Sequence, residues 1–433
     1  MKVRSRLSVF QPITRLFSLN VKYFLIFLAL FATYSYLSLD KHSDHNIYTY
    51  LSEIWADKAG YYIYLPAATI YQFNAHSFPD SVEKRLGEGF KLNYKDSVIE
   101  NKYTCGLSIL WSPFYAIAHT YAKLTSYEAN GFTKPYYKFL NYAGAFYFAI
   151  ATILLYLILR NNYTSRFNSV LAILAIVLGT NAYYYLVDEN GMTHIYSFAL
   201  TIYLYWFLNK FYNHPALLYA GVIGLIAGFL VLMRPTNLII LLLLVGFNAF
   251  NLSTVKDRLK LLFAPSHLWI SALGFLVVWL PQLLYWQYAY DTFLFYSYQS
   301  EGFSNWNNPQ IVNVLLNPLS GLIPNSPVVL LSLAGIIGQL VTERWNGVLV
   351  LSGFIMFTYL FASWHVWSFG CSLGQRSFID FYLFLTFPIA HLLESFSLKS
   401  PIKWVLIVVI GFFIWYTLQL SYNYKDCFFG LIF

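Results

Sequence analysis

Charge is scarce in this chain. Only 11% of its 433 residues are Asp, Glu, Lys or Arg, and 58% are hydrophobic. A soluble domain carries about 25% charged residues, and a soluble fold has nowhere to put this much apolar surface. The net charge of +8 comes mostly from Lys and Arg in short loops between apolar runs. That is how charge sets membrane topology, not how it grips nucleic acid. Cysteine is nearly absent. Cys105, Cys371 and Cys427 have no metal-ligand spacing and make no even disulfide set, so they read as ordinary small residues. Also missing are a Walker loop, a dinucleotide-binding glycine fingerprint, a Cys-x-x-Cys pair and a nucleophile elbow. Pro318-Leu319-Ser320-Gly321-Leu322 puts a serine beside a glycine but lacks the elbow pattern. No solenoid-length repeat is present, nor an inverted repeat of the kind transporters often carry.

What the chain does have is apolar runs and aromatic rings. Runs of spanning length, about 20 residues each, fall at about 22–39, 137–159, 167–186, 195–212, 216–233, 235–252, 266–288, 327–342, 347–363, 377–395 and 403–421. They predict an all-α polytopic membrane protein with about eleven transmembrane helices, forming one domain over residues 1–433. Aromatic residues make up 21% of the chain. Runs such as Tyr183-Tyr184-Tyr185 and Trp364-His365-Val366-Trp367 suit a membrane-interface belt. Lys2, Arg4, Arg6, Arg15 and Lys22 precede the first run, and no small-residue cleavage site follows it. The expectation is a retained span with its N-terminus in the cytoplasm, in the plasma (inner) membrane.

A further run, 103–123, holds Ser108, Ser112, Tyr115 and His119 at helical spacing. This polar face suits a helix lying in the interface. If it does not cross, Arg160, Arg166, Lys210, Lys256, Arg258, Lys260, Arg344, Lys399 and Lys403 all fall in the cytoplasm, as the positive-inside rule requires. Only Arg234, Arg376 and Lys425 fall outside. The glycosylation-type triplets at Asn162 and Asn251 then lie on the cytoplasmic side. The first outer loop, 40–136, would contain in-plane helices. It shares the outer face with loops 188–194, 289–326 and 364–376.

Candidate chemistry concentrates on that face. In the first loop the carboxylates are Asp44, Glu53 and Asp57. Glu53 and Asp57 are four apart and would share a helical face. A carboxylate there could act as general base on a hydroxyl acceptor; a lysine partner for Glu53 and a turn cap for Asp57 are the plainer readings. Asp188, Glu189 and His194 lie within one short turn and could orient an acceptor or hold a divalent cation. Asn190-Gly191 equally suits a solvated turn. Arg234 and Arg376 defy the charge rule, and arginine grips phosphate with a planar fork of donors. Asp380, four residues after Arg376, offers it a simple structural partner. Trp364 and Trp367 give flat surfaces for stacking on a sugar, or plain interfacial anchors.

The layout resembles the GT-C membrane glycosyltransferases. The matching residues are Asp57 with Ala59-Gly60-Tyr61-Tyr62-Ile63-Tyr64-Leu65-Pro66-Ala67, then Lys102-Tyr103-Thr104-Cys105-Gly106-Leu107. His194-Ile195-Tyr196-Ser197-Phe198, Met233-Arg234-Pro235-Thr236 and Ser372-Leu373-Gly374-Gln375-Arg376 complete the set. The chain departs from the family where Tyr103-Thr104-Cys105-Gly106 replaces a proline-containing motif and where Lys58, not a second acid, follows Asp57. The resemblance implies a sugar donor on a polyprenyl phosphate and a glycan, lipid or protein acceptor. It also implies an inverting transfer with Asp57 as base and Arg376 or Arg234 at the leaving phosphate. A transporter or flippase of lipid-linked sugars, a polymerase or ligase of envelope glycans and a membrane scaffold are the rival readings.

Overall fold

The structure, a computed structural model, describes residues 21–43, 45–162, 165–370 and 373–424. Asp44, one of the candidate carboxylates, lies outside the described residues, as do Cys371 and Cys427.

Each of the eleven apolar runs is helical over most of its length. In lipid a segment must satisfy its own backbone groups, and a helix does so within itself. In chain order the main helices are α1 (Val21–Lys41), the short α2 (Asp57–Tyr62), α3 (Gly106–Leu124), α4 (Lys134–Asn162), α5 (Arg166–Gly179) and α6 (Ala182–Val187). Then come α7 (Thr193–Asn213), α8 (Leu217–Met233), α9 (Leu238–Gly246), α10 (Leu252–Leu262), α11 (Pro265–Tyr290) and α12 (Val329–Thr342). Last are α13 (Arg344–Ala362), α14 (Tyr382–Glu394) and α15 (Pro401–Asn423). A hairpin, β1 (Lys91–Asn93) with β2 (Val98–Glu100), pairs Leu92 with Ile99 in the first loop.

Among the described residues six stretches are long and apolar enough to cross a membrane: α1, α4, α11, α13, Arg376–Glu394 and α15. The other five runs are shorter or more polar. α5 stops at Gly179 because Thr180 turns extended, and α8 stops at Met233 because Arg234 precedes a proline and cannot stay helical. α7 has the length but is interrupted by side chains such as His194 and Asn209.

Burial sorts these helices into centre and rim. In the most apolar stretch of the Arg376–Glu394 span 83% of the residues are buried, against 17% in those of α1, α11 and α15. The rim helices leave Leu273, Leu276, Val408 and Phe412 uncovered, as a lipid-facing surface does. α8 and α11 pack closely because both carry glycine. A Cβ on Gly224 would lie 1.9 Å from the Ser271 carbonyl oxygen, and one on Gly274 2.4 Å from that of Gly221. In lipid, where apolar burial drives little helix association, such backbone approach is what holds a pair together.

α3 does not expose the expected polar face. Ser108 and Tyr115 turn inward with Trp111, while Ser112 is exposed with Ile117 and Leu124. The helix runs antiparallel beside the first half of α4. Tyr147 donates to the Leu110 carbonyl at 2.9 Å, and His119 meets the Tyr136 hydroxyl at 2.6 Å. It is not among the helices apolar enough to cross.

One end of the bundle collects the basic loops. Asn248 bonds Asn162 at 3.3 Å and Asn346 at 2.6 Å there, and Trp345 reaches the Gly246 carbonyl. Lys403, buried, bonds Asn168 and the Leu393 carbonyl. The opposite end carries the loop from 43 to 105 and the site.

Candidate functional site

Three of the sequence candidates knit the loops together. Glu53 is buried and accepts from Asn141 Nδ2 at 2.7 Å. Ser38 donates to the same asparagine at 3.0 Å, and Asn190 bonds Ser38 at 2.8 Å. Glu189 pairs with Lys58 at 3.0 Å and Asp188 with Lys41 at 2.8 Å. Burial raises the Asp188 carboxyl above its ordinary value, and Lys41 pulls it back. The turn 188–194 thus sits on the first loop, with Gly191 so close that a Cβ would lie 2.6 Å from the Glu53 carbonyl oxygen. The expected shared face of Glu53 and Asp57 does not form. Helix α2 begins only at Asp57, after Ala56 takes a left-handed φ of 48°.

Asp57 stands apart from those carboxylates. Its side chain is 36% exposed and faces a cavity of about 540 Å³. Tyr103 donates its hydroxyl to Asp57 Oδ1, and Arg376 Nη2 lies 3.4 Å from Oδ2. Gly60 makes the first contact available: a Cβ there would lie 2.0 Å from the Tyr103 ring and 2.6 Å from the Gly89 carbonyl oxygen. Burial, with the Asp57 carboxylate beside it, pushes the Tyr103 hydroxyl far above the ordinary phenol range, so it stays protonated and keeps donating. The segment carrying Tyr103 is pinned residue by residue. Ser297 donates to the Lys102 carbonyl at 2.6 Å, Tyr64 to the Tyr103 carbonyl at 2.5 Å and Thr104 to the Leu232 carbonyl at 2.7 Å. The Cys105 amide donates to Gln282 Oε1 at 2.7 Å, which explains a glutamine within α11.

Arg376 and Asp380 do not pair with each other. Residues Arg376–Phe381 form a 3-10 turn, in which side chains four apart no longer share a face. Arg376 turns to Asp57. Asp380, fully buried, takes Arg234 Nε at 3.3 Å on Oδ2 and His194 Nδ1 at 3.4 Å on Oδ1. Arg234 Nη1 also reaches the His194 ring, 3.2 Å from Nε2. Two acid–arginine pairs therefore come together from three separate segments of chain, and both arginines line the one cavity. Each guanidinium offers five N–H donors in a fork, so each pair leaves donors for an anion.

Much of the rest of the wall is aromatic, with the ion pair of Lys102 and Glu301, 3.0 Å apart, also lining it. Trp364 lines the cavity, its ring edge-on to Phe303 at 5.0 Å and Tyr298 at 6.2 Å. Trp367 does not line it; its carbonyl accepts from Gln375 Nε2 at 3.2 Å. Trp279 and Trp286 of α11 take the place expected of it. Sequence reading passed over them because they lie inside an apolar run. The only sequence signal for Tyr103 is its place in the stretch Lys102-Tyr103-Thr104-Cys105-Gly106-Leu107, and the role of Asp380 is hidden behind its spacing from Arg376.

The grouping of Asp188, Glu189 and His194 as an acceptor or metal site is not formed. The two acids are held by lysines, and His194 faces the Asp380–Arg234 pair. Among the described residues no group of three or more His, Cys, Asp or Glu side chains could hold a metal ion. Asp57, a single carboxylate already bonded by a tyrosine and an arginine, does not supply such a donor set. Compared with known proteins, the chain matches no family model and no curated protein.

Proposed function

We propose that the chain is a GT-C-type membrane glycosyltransferase. It moves a sugar from a polyprenyl-phosphate lipid to a hydroxyl acceptor on the outer face of the inner membrane. The observation that carries this reading is the meeting of Asp57 and two arginines in one aromatic-lined cavity. Nine basic residues in or beside the loops at the other end favour that end as cytoplasmic, which gives about eleven spans and an outward-facing cavity.

The chemistry follows from the residues. The donor phosphate takes guanidinium donors of Arg376 and Arg234, and this draws Arg376 from its long contact with Asp57. The freed Asp57 carboxylate accepts the proton of the acceptor hydroxyl. The acceptor oxygen bonds the anomeric carbon as the bond from that carbon to the phosphate oxygen breaks. The polyprenyl phosphate leaves with the bonding pair, and the arginines stabilise its developing charge. Base and leaving group lie on opposite faces of the sugar, so the anomeric centre inverts. Tyr103 keeps the carboxylate aimed, and the tryptophans offer ring faces to the sugar. The donor set does not fit a divalent cation, so no step runs through one.

The test is native mass spectrometry of the purified protein with polyprenyl phosphate against ordinary phospholipids. Selective retention, lost in Arg376→Ala, is expected. Retention of polyprenyl phosphate no greater than that of phospholipid would overturn the reading and favour a transporter or scaffold.

A further inference from the structure

The basic end of the bundle holds a second cavity, of about 340 Å³, far along α7 from the first. That volume is in the range of small-ligand sites, roughly 300–1,000 Å³. It opens between the ends of α4 and α7, the turn 247–251 and α10. Nothing in the proposed transfer uses it.

Its wall is of two kinds, carboxamides and rings. Asn209 and Asn213 each spend one N–H on a carbonyl four residues back, at 2.9 and 2.7 Å. Each then has a carbonyl oxygen to offer, and Asn213 a second N–H, while the Asn209 side chain also bonds the Tyr205 hydroxyl. Tyr212 lines the same cavity, and its buried hydroxyl has no hydrogen-bond partner. A buried polar group left so is unfavourable unless something else satisfies it. Trp206 and Phe250 add ring surface, Phe250 being 75% exposed.

The charged groups present are already engaged. Arg258 donates to the carbonyls of Val245, Phe247 and Asn248 at 2.9, 2.7 and 3.0 Å, which caps α9, and its guanidinium lies over the Tyr212 ring at 4.5 Å. Asp257 pairs with Lys260 at 3.6 Å. Among the described residues the charged side chains that line the cavity are thus Arg258, with three of its five N–H groups spent on carbonyls, and Asp257, paired with Lys260. Amides that both donate and accept, beside flat rings, match a ligand with many hydroxyls and an apolar ring face.

We infer that this cavity binds a neutral glycosyl group, supplied as a free sugar or as the headgroup of a glycolipid in the adjoining leaflet. Phe250, exposed at its edge, and the exposed Leu252 two residues on suit the acyl chains of the second source. The inference rests on this cavity alone and is independent of the transferase reading.

The test uses the full chain, purified in a detergent without sugar and placed in phosphatidylcholine nanodiscs. Glucosyl diacylglycerol, diacylglycerol and phosphatidylglycerol are added in turn, and bound lipid is read by native mass spectrometry. Retention of the glucosyl lipid over the other two is expected. The double variant Asn209→Ala, Asn213→Ala should weaken it on the order of tenfold, as loss of two amide contacts does. Phe250→Ala, at an exposed position, should weaken it with no change in folding. Displacement by methyl glucoside would support a site that reads the sugar itself. Retention that methyl glucoside does not displace would support the lipid-borne headgroup. Equal retention of phosphatidylglycerol or diacylglycerol, or retention unmoved by either variant, would overturn the inference.

Discussion

The crossed pairing of the two acids and two arginines can be read out by a double-mutant cycle. Asp380 is fully buried, and its partner Arg234 is 14% exposed at the cavity wall. Removing one member of a fully buried pair destabilises by about 3–5 kcal/mol, because the other charge is left uncompensated. Here the cavity hydrates the guanidinium in part, so Asp380→Asn and Arg234→Gln should each destabilise by about 2 kcal/mol. The double variant leaves two neutral groups that can still hydrogen-bond. It should be more stable than the sum of the singles by about 1–2 kcal/mol. The same cycle on Arg376 and Asp380 should be additive to within about 0.5 kcal/mol, since these two share no bond. The assay is a reversible detergent-denaturation titration of the reconstituted protein, followed by tryptophan fluorescence. Strong coupling between Arg376 and Asp380, with additivity between Arg234 and Asp380, would refute the arrangement.

The remaining predictions concern turnover. Asp57→Asn should lower transfer by about 10²–10⁴-fold, the usual worth of a general base, with the protein still folded and inserted; unaltered transfer would remove Asp57 from the mechanism. Tyr103→Phe keeps the ring and deletes the donor, and should slow transfer about tenfold, as loss of one hydrogen bond to a charged group does; a wild-type rate would show that Tyr103 does not aim the carboxylate. Gly60→Ala places a methyl where the Tyr103 ring and a backbone oxygen already lie. It should destabilise by about 1–3 kcal/mol and slow transfer more than Tyr103→Phe; a neutral outcome in both measurements contradicts the close approach. Chelation by EDTA should leave turnover unchanged, because the acids near the site are spent on lysine and arginine; activity lost to chelation and restored by a divalent cation would show a metal site.

Much of the fold was legible because membrane insertion leaves a coarse signal. Every long apolar run is helical over most of its length, and the scarcity of charge identified the class. What the runs did not give was their subdivision. Thr180 and Pro235 break the chain locally, and their effect depends on what packs beside the break: Asn181 finds the Leu373 carbonyl and the Tyr382 hydroxyl. The α3 face was misjudged for a related reason. Helical spacing told which residues share a side but not which side meets protein, and Ser108 turned inward because the Tyr61 carbonyl could accept from it.

The site was legible in its residue types and not in its pairings. Arg234, Arg376 and His194 could be picked out because each is polar at the edge of an apolar run, and Asp57 because it is an acid in the outer loop just before Ala59-Gly60-Tyr61-Tyr62. Their partners could not be read from sequence, because every contact that defines the cavity joins distant segments: Arg376 with Asp57, Arg234 with Asp380, Tyr103 with Asp57. The nearest-neighbour pairing of Arg376 with Asp380 assumes an α-helical start to the span. A 3-10 turn removes that assumption and rotates Asp380 away by part of a turn. The consequence is chemical. A local pair would have spent Arg376 inside its own helix and left Asp57 without a cation. The crossed pairs set one arginine on each acid and direct both at a single cavity, where an anion can compete for them.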